Sequence, residues 1–214
     1  MPYGYLGQTT PNQLAKNSGV LSMSDVHNLT KQGKLGGSLE LIDEKIASSD
    51  STIDFLSIKQ DVYDVHLLQV NNYQANTDNT ILGIRLYESG VLETASVYQV
   101  AMMGQRSDPT GNNEYKSTTS NMGVANIGSG IDNAPAASAN GYCYLYNLGD
   151  VTKFSFSSFH WVYVYYTVTE LAEMNWGGGV LPQASIVDGF RIFANAGTFS
   201  GNFKLYGVKE IWVL

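Results

Sequence analysis

Three histidines, His27, His66 and His160, and a handful of neighbouring carboxylates are the side chains of this sequence best suited to acid–base chemistry. Nucleophilic hydrolysis needs a serine or cysteine, a base and an oxyanion hole brought together, with G-x-S-x-G as one local signature. The nearest approach, Gly128-Ser129-Gly130, lacks that elbow spacing. His66 stands among apolar neighbours in a strand-like stretch, His160 beside Trp161, and His27 on a short helical pattern, so each is expected to be a structural histidine. Asp43 with Glu44, Asp61 with Asp64, and Glu170 with Glu173 offer carboxylates for glycoside chemistry, which needs two of them roughly 5 to 10 Å apart across a sugar. Adjacency in sequence does not create that geometry, and these acids are expected as solvated loop and edge charges. The run Asp108-Pro109-Thr110-Gly111-Asn112-Asn113-Glu114 holds oxygen ligands without EF-hand spacing and reads as a turn. Cys143 is the single cysteine, and no Cys/His cluster has zinc-ligand spacing. No catalytic residue, metal or cofactor is expected.

Trp176-Gly177-Gly178-Gly179 is more informative. A phosphate cradle would continue into Lys and a helix, whereas Val180-Leu181-Pro182 follows here. The glycines read as a loop, and a tryptophan in such a loop stacks on a sugar ring or plugs into a neighbouring subunit. Trp176, with Asn175 before it and Tyr115 from the long polar stretch, are the candidates for ligand or interface contact. Loops at 71–79, 104–140 and 174–182 are the expected contact surfaces, 104–140 being long and poor in packing residues.

These residues have to be positioned by strands. From Ser38 onward the apolar residues recur with period two or in short runs, at 38–42, 51–58, 63–70, 80–88, 95–103, 141–147, 156–168, 186–193 and 202–213. Turn formers separate them, and 88–93 and 197–201 read as hairpin tips. The aromatic and β-branched stretch 159–166 predicts a central strand with apolar contacts on both faces. The pattern predicts an all-β fold, a β-sandwich or jelly roll of antiparallel strands over 38–214. Residues 1–37 differ, being rich in Gly, Gln, Asn, Thr and Ser, and read as an extended N-terminal arm. Ser22 or Ser24 caps one short helix in it, with Val26 and Leu29 on one face and Gly33 as the stop.

Twelve Lys and Arg against 19 Asp and Glu give a net charge of −7, which excludes a basic nucleic-acid-coating protein. Charged residues are 14% of the chain, below the roughly 25% of ordinary domains, while 43% hydrophobic and 12% aromatic content excludes intrinsic disorder. The 214 residues suit one self-sufficient domain without disulfides. No apolar run approaches the roughly 20 residues that span a bilayer. The opening Met1-Pro2-Tyr3-Gly4-Tyr5 lacks the basic and apolar regions of a secretory signal, so synthesis in the cytoplasm is expected.

Several blocks carry a family resemblance. Met1-Pro2-Tyr3-Gly4-Tyr5-Leu6-Gly7-Gln8, Ser18-Gly19-Val20-Leu21-Ser22 and the G-S-L-E-L-I block at 37–42 open the chain. Ser51-Thr52-Ile53-Asp54-Phe55, Tyr63-Asp64-Val65-His66-Leu67-Leu68, Ile84-Arg85-Leu86-Tyr87-Glu88-Ser89-Gly90 and the closing blocks at 187–193 and 201–208 follow in order. Together they resemble virion structural proteins of marine tailed bacteriophages, of the cyanophage and pelagiphage kind, in the fibre, appendage or capsid-decoration class. The resemblance implies a non-enzymatic virion component that forms homo-oligomers, trimers first, and contacts other capsid or tail proteins. The arm would anchor it through Tyr3, Tyr5, Leu6, Val20 and Leu21. Neither nucleic acid nor membrane insertion is implied, and a host surface glycan is a further partner. A carbohydrate-binding receptor-recognition module and a glycan hydrolase or depolymerase remain the alternatives.

Overall fold

The computed structural model describes residues 23, 24, 27, 38–109, 111–125, 130–166 and 171–209, with the backbone alone for 123–125. The arm residues Tyr3, Tyr5, Leu6, Val20 and Leu21 lie outside the described residues, as does the short helix apart from Met23, Ser24 and His27.

The alternating pattern becomes thirteen strands among the described residues: β1 (Leu39–Asp50), β2 (Thr52–Phe55), β3 (Val65–Ala75), β4 (Leu82–Glu88), β5 (Val91–Leu92), β6 (Tyr98–Arg106), β7 (Asn112–Thr119), β8 (Met122–Ala125), β9 (Ala139–Tyr146), β10 (Phe154–Tyr165), β11 (Leu171–Ala184), β12 (Val187–Ala194) and β13 (Phe199–Val208). They form two antiparallel sheets. One has eight strands in the order β1-β13-β3-β9-β10-β11-β6-β7; the other has β2-β12-β4-β5, with β8 also paired to β4. Residues 41–208 make one compact unit. The other unit comprises 1–40 and 209–214, and within it the Lys209 N–H donates to the Ser38 carbonyl at 2.7 Å and its ammonium pairs with Glu40 at 2.9 Å.

One apolar cluster is shared by both sheets. The large sheet contributes Leu68, Val70, Leu145, Phe159, Trp161, Phe203 and Leu205, and the small sheet Ile53, Phe55, Ile84, Leu86, Phe190 and Ile192. Strand alternation sorts them: along β10, Ser155, Ser157, Phe159, Trp161 and Tyr163 are buried while Phe154, Phe156 and Val162 are exposed. His66 belongs to this interior, with its Nε2 2.7 Å from the Ile58 carbonyl oxygen. Burial lowers its pKa, which keeps the ring neutral and makes Nε2–H the donor.

All three stretches expected as loops are strand in whole or part: β3 runs on through 71–75 of the first, paired to β13, before the chain turns. The segment 104–140 contains the end of β6, all of β7 and β8, and the start of β9. β7 escapes sequence reading because it is an edge strand, NNEYKSTT, with polar residues on both faces and no apolar alternation. The glycine run 177–179 lies inside β11, between β10 and β6. Its glycines answer a crowding problem. A Cβ on Gly177 would overlap the Ala101 carbonyl and sit 2.6 Å from the Met102 Cα, and one on Gly178 would sit 2.6 Å from the Ser157 carbonyl oxygen of β10. The hairpin tip at 88–93 is as read: Ser89 and Gly90 join β4 to β5 with φ of +50° and +80°, the paired left-handed geometry of a two-residue hairpin turn.

Tyr98 ties the two sheets together. It is fully buried on β6, and its hydroxyl accepts the Leu86 N–H of β4 at 2.9 Å while donating to the Glu93 carbonyl at 3.2 Å. β8 pairs with β4 at Leu82 to Ile84 and β5 at Tyr87 and Glu88, so Leu86 falls in the gap between them. The tyrosine thus caps a main-chain donor that no strand reaches. Burial pushes its pKa up to about 12, so it stays a neutral donor and acceptor. Tyr98→Phe, which keeps the ring, leaves that N–H unsatisfied and should lower unfolding stability by about 1–3 kcal/mol in urea titration.

Candidate functional site

Because strand residues alternate, the eight-stranded sheet has a second face turned away from the core. Register gives its layout. One row runs across seven strands: Lys204 (β13), Gln69 (β3), Tyr142 (β9), His160 (β10), Trp176 (β11), Met103 (β6) and Glu114 (β7). To one side, Val162 and Met174 pair with Gln105 beyond them. To the other lies a row of small residues, Ser158, Gly178 and Ala101, flanked by Tyr144, and then a row with Tyr146, Phe156 and Val180. The tyrosines of β9 stand as a ladder, with ring centroids 5.8 Å apart for Tyr142 and Tyr144 and 6.2 Å for Tyr144 and Tyr146; Tyr142 also meets His160 at 6.0 Å.

This face is apolar where it is exposed. Tyr142, Phe154, Phe156, Val162, Met174 and Met103 are all exposed, and Trp176 keeps 36% of its surface. The outward positions of β9, β10, β11 and β6 named above include no Asp, Glu, Lys or Arg; formal charge begins at the rims, with Glu114 beside Lys116 at 3.2 Å and Lys204 beside Glu44 at 3.5 Å. Its relief is shallow. A depression of about 350 Å³ is lined by Gln105, Asn112, Val162, Ala172 and Met174 among others, and one of about 290 Å³ by Met103, Glu114, Tyr115, Lys116 and Trp176 among others. Such relief suits a flat partner better than an enclosed small molecule.

The structure therefore brings Trp176 and Tyr115 to one depression and puts Asn175 elsewhere. Asn175 points the opposite way, into the interior, where it meets Tyr163 and Glu173. With its amide oriented to satisfy both neighbours, its oxygen accepts from the Tyr163 hydroxyl at 2.7 Å and its nitrogen donates to Glu173 Oε1 at 3.1 Å. Glu173 is fully buried, which corrects the expectation of a solvated charge. It occupies an inward position of β11, opposite Tyr163 of β10 and Arg106 of β6. Burial pushes its pKa up to about 7, against the pull of Tyr163, Arg106 and Asn113; Asp108 adds to the push. Arg106 in turn pairs with Asp108 at 3.4 Å and lies 4.6 Å over the Tyr165 ring. The cluster anchors three strands to one another, and with no exposed surface at Glu173 a sugar does not reach its carboxylate in this conformation. His160 sits in the outward row of the large sheet and His66 in the core, so these two histidines face opposite sides of the sheet. Among the described residues no group of three or more His, Cys, Asp or Glu is arranged to hold a metal, and no helix is long and apolar enough to cross a membrane.

The outward face was half visible in the sequence. The stretch 159–166 announced apolar contacts on two sides, but Tyr142, Tyr144, Tyr146 and the alternation of Phe154 with Phe156 carry the same signal and went unused. Glu173 had one available cue, its place between apolar Ala172 and Met174 in a β-pattern. No protein-family model, no curated protein and no solved structure matches this chain.

Glu173 yields a pH prediction. Its folded pKa of about 7 lies above the ordinary 4.5, so the folded chain holds this proton more tightly than the unfolded chain. Stability attributable to it is full below about 4.5, falls as pH rises, and levels off above about 7. Glu173→Gln removes that fall: urea denaturation from pH 4 to 8 should show the variant gaining on the parent by on the order of 3 kcal/mol. A gap independent of pH would mean that Glu173 does not titrate in this range.

Proposed function

We propose that this chain is a non-enzymatic structural subunit of a tailed-bacteriophage virion, of the fibre, appendage or capsid-decoration type. In this reading residues 1–37 anchor it to a capsid or tail protein through Tyr3, Tyr5, Leu6, Val20 and Leu21. The body is a β-sandwich of jelly-roll type that packs against neighbouring subunits, including copies of itself. The observation that carries the reading is the exposed, uncharged aromatic face of the large sheet. Contiguous apolar patches above a few hundred Å² mark interaction surfaces on soluble domains, and Trp, Tyr, Phe and Met with few charges is the composition of an interface core. The ordered sequence blocks that resemble phage virion proteins supply the kind of assembly.

Particle incorporation tests this. In cells assembling the parent phage, the full chain should copurify with mature particles at a fixed ratio to the coat protein by quantitative mass spectrometry. Deleting residues 1–20 should leave a β domain of unchanged circular dichroism that no longer copurifies. Absence of the full chain from particles would remove the reading, and loss of folding on deletion would make the arm part of the core instead of an anchor.

A second reading has a specific observation behind it. The row Tyr142, His160 and Trp176 stands beside the low row of Ser158, Gly178 and Ala101, an arrangement in which a glycan chain can lie along aromatic rings. Binding on a glycan array that disappears with Trp176→Ala, while thermal stability is kept, would favour a carbohydrate-binding module. Trp176-independent or absent binding leaves the aromatic row to protein contacts.

A further inference from the structure

The charge layout of the exposed face says what covers it. A chain carrying −7 repels its own copies, and the centre of this face holds no formal charge to add to that repulsion. The composition there, with Met103, Met174, Val162, Phe156 and Phe154 among the rings and no formal charge, matches the apolar middle of a protein interface. Size fits as well. Strands about 4.8 Å apart and a rise of about 3.3 Å per residue give roughly 800 Å² over β13, β3, β9, β10, β11, β6 and β7 along the reach from Phe156 to Val162, the share each partner contributes to a standard interface.

The long row adds self-complementarity. It begins with Lys204 on one rim, ends with Glu114 on the other, and has His160 at its middle strand. Turning a second copy about a two-fold axis that runs along the strands at His160 exchanges the two rims while keeping the rows in line. Glu114 then faces the partner's Lys204, and Lys204 the partner's Glu114. Their present neighbours are Lys116, in a rim ion pair, and Glu44, which also accepts from the Asn202 amide at 2.8 Å; exposed ion pairs of this kind cost little to rearrange.

We propose that the outward face of the eight-stranded sheet packs against the same face of a second copy of this chain about a two-fold axis, with Trp176, Met103, Tyr142 and Phe156 at its centre and the Lys204–Glu114 pairs at its rims. This names the partner of the surface on which the assembly reading rests, yet it stands or falls by the state of the pure protein, whereas that reading stands or falls by particle content. The pair is isologous, so one patch serves both subunits and the contact closes on itself. A sheet that would otherwise be apolar toward water on one side becomes the inner layer of a four-sheet stack.

Sedimentation equilibrium of the full chain tests it, with circular dichroism melting to show that each variant is folded. The wild-type chain should show a concentration-dependent monomer–dimer equilibrium. Trp176→Ser and Phe156→Ser, both at outward positions, should each raise the dissociation constant at least about tenfold, as truncating a central aromatic anchor does. Glu114→Lys and Lys204→Glu should each weaken the dimer, and the double variant should recover affinity toward the wild-type value. A wild-type chain that stays monomeric, a trimer, or a monomer that binds oligosaccharides through Trp176 would each overturn the proposal. Two charge reversals whose effects simply add would overturn the two-fold axis along the strands.

Discussion

A wide sheet that is apolar on both faces needs two covers, and among the described residues the small sheet supplies one. Everything else in the structure follows from that imbalance. The inner face of the eight-stranded sheet sets Phe159, Trp161, Phe203 and Leu205 against Phe55, Phe190 and Ile192, and this shared cluster holds the fold without a disulfide. The outer face sets Tyr142, Trp176, Phe156 and Met174 toward water. Each exposed aromatic forgoes the roughly 25 cal/mol per Å² that its burial would contribute. Such a surface is stable in isolation only because the core beneath it is strong enough to carry it.

The polar groups inside the body are placed where strand pairing fails or where neighbouring strands must be fixed. Tyr98 fills the gap that β5 and β8 leave beside Leu86, replacing a ladder bond with a side-chain bond across the two sheets. Asn175 links Tyr163 to Glu173, fixing adjacent positions of β10 and β11. Both arrangements stiffen the large sheet from within, and a stiff, flat sheet is what an outward packing face requires. Glycine has a related part: Gly177 and Gly178 let β11 lie close against the backbone of Ala101 and Met102 on β6 and of Ser157 on β10.

The alternation of apolar residues made the all-β antiparallel class and most strand positions legible, because period two is dictated by the backbone itself. It failed where the backbone pairs without apolar side chains to mark it. β7 is an edge strand of polar residues, and β11 carries three glycines whose purpose is set by the neighbours they admit. Trp176 and Tyr115 stand out in the sequence by residue type alone; both line one depression, although Tyr115 lies opposite the inward Met102 in the register. Asn175, next in sequence to Trp176, faces the interior for the same reason of alternation, so adjacency in sequence places the two on opposite sides of the sheet. Glu173 was misread as a surface charge because sequence shows no partner for a buried acid, and its partners arrive from β10 and β6. Register, which sets Lys204 and Glu114 at the two ends of one row, is invisible until the strands are ordered.

The central claim is that the outward face of the large sheet is covered in the protein's working state. Hydroxyl-radical footprinting measures this directly, because Met103, Met174 and Trp176 oxidise readily when exposed and Met23, 86% exposed in the N-terminal segment, is an internal reference. On going from dilute to concentrated protein, oxidation of Met103, Met174 and Trp176 should fall severalfold relative to Met23. Equal oxidation of all four at every concentration of the pure protein would contradict the account.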